Sequence, residues 1–218
     1  RASGRGRRTP AASDGGLSAC RGGRCCLAVV VREADYDSVV AAAKSTYNYD
    51  ALAIPNSVPE QSEKMLVNLD WNINDNHKLA LRHSLVKAND VSPSRSSASS
   101  INFMGGAIDF KTTTNSSSLE LNSRFGNKFA NNLVIGYTSV VDDRNPFGSP
   151  FPNVEIVDGS GRIFLGSEPF STANLLEQKT LTVTDNFEIN SGKHTVTIGT
   201  HNEFSSAKNV FVGRNFGY

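Results

Sequence analysis

Three pairs of alternating runs, each pair joined by a short turn and separated from the next by a long connection, constrain this chain more than any other feature. In the first pair, Met65, Val67, Leu69, Trp71 and Ile73 alternate with Lys64, Asn68, Asp70 and Asn72, which is the period of a strand with one apolar and one polar face. Asn74, Asp75 and Asn76 interrupt it. These residue types accept left-handed backbone and bond their own main chain, so they predict a tight turn. Leu79, Leu81 and Leu85 then alternate with Ala80, Arg82 and Ser84. The second pair sets Leu119, Leu121 and Phe125 against Glu120, Asn122 and Arg124, turns over residues 126–131, and returns with Leu133, Ile135 and Tyr137 against Val134, Gly136 and Thr138. The third runs through Leu181, Val183, Phe187 and Ile189, turns over residues 190–193, and closes with Val196, Ile198 and Phe204 against Thr197, His201 and Glu203.

Between the pairs lie two long irregular segments, residues 88–118 and 141–177, the first rich in Ser, Asn, Thr and Gly and the second in Pro and Gly. Ordinary connections take about four to six residues. Short turns alternating with long loops match a membrane barrel, which keeps its short turns on the periplasmic side and its long loops outside. A soluble sandwich also alternates apolar and polar residues, but nothing requires its long connections to gather at one end. Each run is about ten residues or longer, enough to cross a bilayer at a tilt. No stretch approaches the ~18 consecutive apolar residues of a membrane helix, and a mean hydropathy of -0.31 suits a barrel, which never writes a continuous apolar run. The expected fold is therefore all-β: an antiparallel up-and-down meander of about six strands from a transmembrane β-barrel, with long extracellular loops. One short loop helix is expected over residues 36–47, where Val39, Val40, Ala43 and Tyr47 recur at helical spacing.

The polar faces supply the candidate lumen residues: Asn68, Asp70, Arg82, Arg124, Thr182, Thr184, His201 and Glu203. Asp142, Asp143 and Arg144, with Phe147 and Phe151 in the Pro-rich run that follows, are candidates for an extracellular loop, the two phenylalanines chiefly as packing groups. Two residues resist the pattern. His83 and Asp185 fall on the apolar parity, where a bulge could re-aim them unless they lie outside the hydrocarbon band. The alternative from another class is a secreted soluble β-sandwich for adhesion or glycan binding.

The first 33 residues differ from the rest. They hold all three cysteines and seven arginines without a lysine, so the remainder of the chain is mildly acidic. No aromatic residue accompanies those arginines, which speaks against a nucleic-acid surface. Leu17, Ser18, Ala19 and Cys20 resemble a lipoprotein cleavage box but lack the apolar segment ahead of it. Adjacent Cys25 and Cys26 are poorly spaced to chelate one metal. Residues 1–33 are read as a disordered or non-native leader, and residues 34–218 as one partial barrel domain.

The stretches SEKMLVNLDWNINDNHKLALRHS, TTNSSSLELNSRFGNKFANNLVIGYTSVVDDRNPFGSPFP and FSTANLLEQKTLTVTDNFEINSGKHTVTIGTHNEF together resemble the barrel of Oar-like TonB-dependent outer-membrane receptors, the carboxypeptidase-regulatory-domain-containing type. The likeness runs from about residue 35 to residue 218. It implies a bacterial outer-membrane location, contact with outer-membrane lipid, and energy-coupled passage of a substrate the sequence does not identify. It also implies a parent barrel of about twenty-two strands, with a plug and a TonB-contacting segment in parts of the parent outside this chain. The chain is thus expected to be a fragment of a barrel wall.

No catalytic constellation, cofactor motif or metal site is expected. Asp70, Asn72 and Asn74 imitate the start of a calcium loop, but its sixth position is Asp75 instead of Gly and its twelfth is Leu81. His77, His83, His194 and His201 show no paired ligand spacing. Asp158 to Gly161 lacks the spacing of a nucleophile elbow and reads as a turn.

Overall fold

The structure is a computed structural model that describes residues 33–58 and 60–217. The leader reading of residues 1–33, with all three cysteines, lies outside the described residues but for the last of them. Helix α1 (Glu33–Tyr47) leads into the long strands β1 (Gln61–Asn74) and β2 (His77–Ser92). A three-residue strand β3 (Ser100–Asn102) and a 3-10 turn at Met104–Gly106 precede β4 (Ile108–Phe125) and β5 (Phe129–Pro146). The small hairpin β6 (Val154–Asp158) and β7 (Gly161–Leu165) comes next, and β8 (Asn174–Ser191) and β9 (His194–Val210) complete the order.

The six long strands form one antiparallel sheet in the order β1-β2-β4-β5-β8-β9, each beside its neighbour in the chain. Its three hairpins turn where the sequence predicts. Asn74 Oδ1 accepts from the backbone N–H of both Asn76 and His77, each at 2.9 Å, and closes the first turn. Gly126 and Gly192 supply left-handed φ values of 62° and 60° for the other two. Register keeps the faces distinct. Leu69, Leu81, Leu119, Ile135 and Val183 stand in one row across five strands, and Trp71, Leu79, Leu121 and Leu133 stand in the next. On β9 the parity inverts, because the last turn pairs Ser191 with His194 and so sets Leu181 opposite Phe204.

The sheet is a single layer. Leu69, Trp71, Ile198 and Phe204 are 58–64% exposed, and no second sheet covers either face among the described residues. A sandwich needs two packed layers about 10 Å apart, so the soluble-sandwich alternative fails on architecture.

The buried core lies elsewhere, at the long-loop end of the sheet. There Ala43, Tyr49, Ala51, Ile101, Phe103, Ile163 and Leu165 pack together, with Tyr36, Val39, Val40, Phe151 and Ile156 against them. The helical period of α1 puts Tyr36, Val39, Val40 and Ala43 on this side. Asn48, at φ 52°, ends the helix, and the Tyr49 N–H reaches back to the Ala43 carbonyl at 3.1 Å. β3 runs parallel to β7, which pairs antiparallel with β6 through a turn at Asp158 to Gly161, as the sequence predicts. The segment ahead of β1, the β2–β4 connection and the β5–β8 connection thus share one outer cap.

Three expectations are corrected. The first long loop spans only residues 93–107, because β2 continues to Ser92 and β4 starts at Ile108. The second spans residues 147–173 and holds the β6–β7 hairpin. The run TTTNSSS is strand despite lacking large apolar residues, since threonine favours extended backbone and pairing continues on both sides. Asp142, Asp143 and Arg144 accordingly lie within β5 and not in a loop. Finally, no bulge re-aims His83 or Asp185, for the register runs unbroken through both.

Candidate functional site

Two surfaces concentrate functional groups: the polar face of the sheet and the cap above it. All eight lumen candidates share the polar face. Asn68 stands opposite Arg82, Thr182 opposite Glu203, and Thr184 opposite His201. The inverted parity of β9 brings odd-numbered His201 and Glu203 onto the face of the even-numbered residues. Short polar contacts tie neighbours together. Asn68 Nδ2 donates to Asp70 at 2.7 Å, Thr184 Oγ1 meets His201 Nδ1 at 2.7 Å, and Ser205 donates to Glu203 at 2.8 Å. Nearer the short turns, Asn122 and Asn132 both donate to Glu120 at 2.9 Å. Arg82 and Glu203 share a row but sit four strand spacings apart, roughly 19 Å, so they do not pair. Arg124 lies at the turn end, its N–H on the Asn76 carbonyl at 2.8 Å. The face is a wet, hydrogen-bonding surface with separated charges. Among the described residues, no group of three or more His, Cys, Asp or Glu is arranged to hold a metal.

The opposite face carries the apolar rows, and His83 and Asp185 find partners in other polar residues of the same face. His83 Nδ1 lies 2.9 Å from the Ser117 hydroxyl, and Asn131 Nδ2 donates to Asp185 at 2.8 Å. On β5 the apolar rows run from Phe129 to Tyr137, eight residue steps or ~26 Å, which a tilt of ~40° reduces to ~20 Å of height. That is close to the ~25 Å apolar band of an outer-membrane barrel. Phe125, Phe129 and Phe187 lie along its turn end, with Phe129 and Phe187 stacked at 5.7 Å. Above Tyr137 the same parity becomes mixed, with Ser139 and Asp143 on either side of Val141.

A family model described as "Outer membrane beta barrel domain" matches residues 36–217. The chain belongs to that outer-membrane β-barrel family. No curated protein and no solved structure matches it. As an outer-membrane β-barrel domain it is located in the bacterial outer membrane, the apolar band fits hydrocarbon, and the cap stands at the long-loop end.

In the cap, the loop candidates separate by role. Phe151 stacks on Tyr49 at 4.1 Å and meets Tyr47 edge-on at 6.0 Å, which is a packing role. Phe147 is 42% exposed, and its N–H bonds the Ala107 carbonyl at 3.0 Å, joining the two long loops. Thr112 donates to Asp142, and the Arg144 guanidinium lies 5.1 Å above the Phe110 ring. Burial pushes the Tyr49 hydroxyl above the usual tyrosine range, the Gly166 backbone opposing and the Asp50 charge reinforcing it. Asp50 is held below the usual carboxylate range by the Leu52 N–H and then by Lys44, 3.1 Å away.

The cap also holds a cleft of about 380 Å³ that sequence reading does not reveal. Phe103, Phe164, Pro169 and Phe170 give it apolar walls, and Glu155, Glu168 and Arg214 bring charge to it. None of these stands in a periodic pattern. They converge from connections more than a hundred residues apart, and the density of Pro and Gly around residues 146–169 is the only local sign of an ordered loop.

Proposed function

We propose that this chain is part of the wall of a TonB-dependent receptor that moves a substrate across the outer membrane with energy delivered through the TonB complex. The supporting observation is the convergence of all eight polar candidates on one face of a membrane-height sheet whose short turns and long loops lie at opposite ends. In this reading the apolar rows meet lipid and the polar face lines the lumen. Asp70, Arg82, Arg124 and Glu203 offer separated charges along a passage that needs no bond chemistry. The bare edges of β1 and β9 are closed by further strands, since unpaired backbone is not tolerated in hydrocarbon. The resemblance to Oar-like receptors supplies the expectation of a plug and a coupling segment in the parent.

The test uses the full-length gene product in its own outer membrane. Substrate accumulation should stop when TonB is deleted or the proton-motive force is dissipated, while binding to the cell surface persists. Passage that continues unchanged after TonB deletion would make the barrel a passive channel and refute the energy coupling.

A further inference from the structure

We infer that the cap cleft is a binding site for a small organic carboxylate with an aromatic or apolar body, held at its charged end by Arg214. The inference rests on the membrane reading above, which leaves the cleft at the extracellular end of the wall.

The charges around the cleft are unequal in availability. Glu168 is already engaged by its own turn: its carboxylate accepts from the Phe170 N–H at 3.0 Å and the Ser171 N–H at 2.6 Å. Glu155 is paired with Arg162 across the β6–β7 hairpin. Asn102 and Asn153 spend their amide N–H groups on the Arg95 and Ser167 carbonyls. Arg214 differs. Among the described residues its guanidinium has neither a hydrogen-bond nor an ion-pair partner. Its backbone sits at φ 62°, in the left-handed region that a non-glycine residue adopts at a cost. The local turn holds it there, with the Gly217 N–H on the Arg214 carbonyl at 3.0 Å and the Asn153 N–H on the Phe216 carbonyl at 2.7 Å.

Glu155 is neutralised by its partner and Glu168 keeps its charge but turns its acceptor oxygens to its own loop, so Arg214 is the lining charge whose hydrogen-bonding capacity is unspent. A guanidinium matches a carboxylate through two parallel N–H donors. The walls define the rest of the ligand. Phe103 backs the cleft from the packed core at 1% exposure, and half-buried Phe164 and Pro169 with Phe170, 59% exposed, supply the apolar surface a ligand would meet. A volume of about 380 Å³ falls in the range of small-molecule sites. An anion without an apolar body would leave these rings wet, and a neutral apolar ligand would leave Arg214 unpaired.

The probes are N-acetyl-Ala-Phe with a free carboxylate, the same compound as its C-terminal amide, and 3-phenylpropionate, each titrated calorimetrically into the full-length gene product purified in detergent from outer membranes. The free acid should bind about tenfold or more tightly than the amide, as expected of a charge-assisted pair. Arg214→Gln should abolish that difference and leave amide binding unchanged, and Arg214→Lys should restore part of it. Phe170→Ala should weaken acid and amide alike. Binding of 3-phenylpropionate as tightly as the peptide acid assigns the site to free aryl acids; weaker binding assigns it to peptide C-termini. Equal affinity for acid and amide, or binding of neither at millimolar concentration by protein still found in the outer membrane, overturns the carboxylate site and leaves the membrane reading standing. Recovery of the protein in the soluble fraction without detergent overturns the membrane reading itself.

Discussion

Replacing Leu121 by arginine, and separately Val134 by arginine, asks which face of the sheet meets hydrocarbon. Leu121 stands between Leu79 and Leu133 on the apolar face, with no acidic residue opposite it on either neighbouring strand. It lies four residue steps above Phe125, which places it roughly 10 Å up a band ~20 Å high, near the bilayer centre. An arginine there costs about 2–4 kcal/mol. That lowers the folded-to-unfolded ratio about thirty- to several-hundred-fold, at ~1.4 kcal/mol per tenfold. Val134 lies one row away on the polar face, between Glu120 and Thr184. Arginine at this position keeps its charge in water beside a carboxylate, and the expected change is within about 0.5 kcal/mol. The assay is guanidinium unfolding of the full-length gene product from phospholipid vesicles, followed by tryptophan fluorescence and by the mobility of unheated samples on gels. The reasoning is refuted if Val134→Arg costs as much as Leu121→Arg, or if Leu121→Arg costs less than about 1 kcal/mol.

Three further outcomes are expected. Gly166 has φ 88°, and an added Cβ would run into the Pro152 carbonyl, whereas Gly126 has φ 62° with open space around it. Gly166→Ala should therefore open the cap to external protease, while Gly126→Ala costs only about 1–2 kcal/mol of backbone strain and leaves the cap closed. Because burial raises the Tyr49 hydroxyl, an opened cap ionises first as pH climbs through the ordinary tyrosine range. Cap stability should be complete below that range and fall above it until the folded group also ionises; protease nicking near pH ~11 should rise in the parent chain and much less in Tyr49→Phe. A double-mutant cycle on Asn131 and Asp185 should return a coupling of about 0.5–1.5 kcal/mol, and a value near zero would remove their 2.8 Å bond as the reason an acid is tolerated on the apolar face.

What the sequence made legible follows from where the chain needs alternation. Across the apolar band one side of the sheet differs from the other, so Leu69, Leu119 and Ile135 write their strands plainly, and Asn74 and Gly192 mark the turns with their own conformational demands. Beyond the band both faces meet water, the alternation has no physical cause, and Thr112 to Ser116 look like loop although their backbone pairs on both sides. The same lapse misplaced Asp142 to Arg144. The helix was legible because Val39, Val40 and Ala43 have an apolar core to face, and Phe151 because a phenylalanine among prolines has few uses but packing. Arg214 and Phe103 were not, since their meeting depends on how separate loops fold together.

The length of the strands has a consequence for the order in which this wall is built. β4 and β5 each have 18 residues, about 59 Å of chain, yet the apolar band uses under half of that. The outer half of each strand, with its serines, threonines and acids, must pass through the hydrocarbon layer when the wall inserts from the periplasmic side. Paired with neighbours it can make that journey with its backbone satisfied; alone it cannot. The cap core draws Tyr36 and Tyr49 from ahead of β1, Phe103 from between β2 and β4, and Phe151 from beyond β5, so packing it needs the β1–β2 and β4–β5 hairpins already spanning. That core is therefore a latch on the cell surface that ties those two hairpins together at their outer ends and opposes their slipping back.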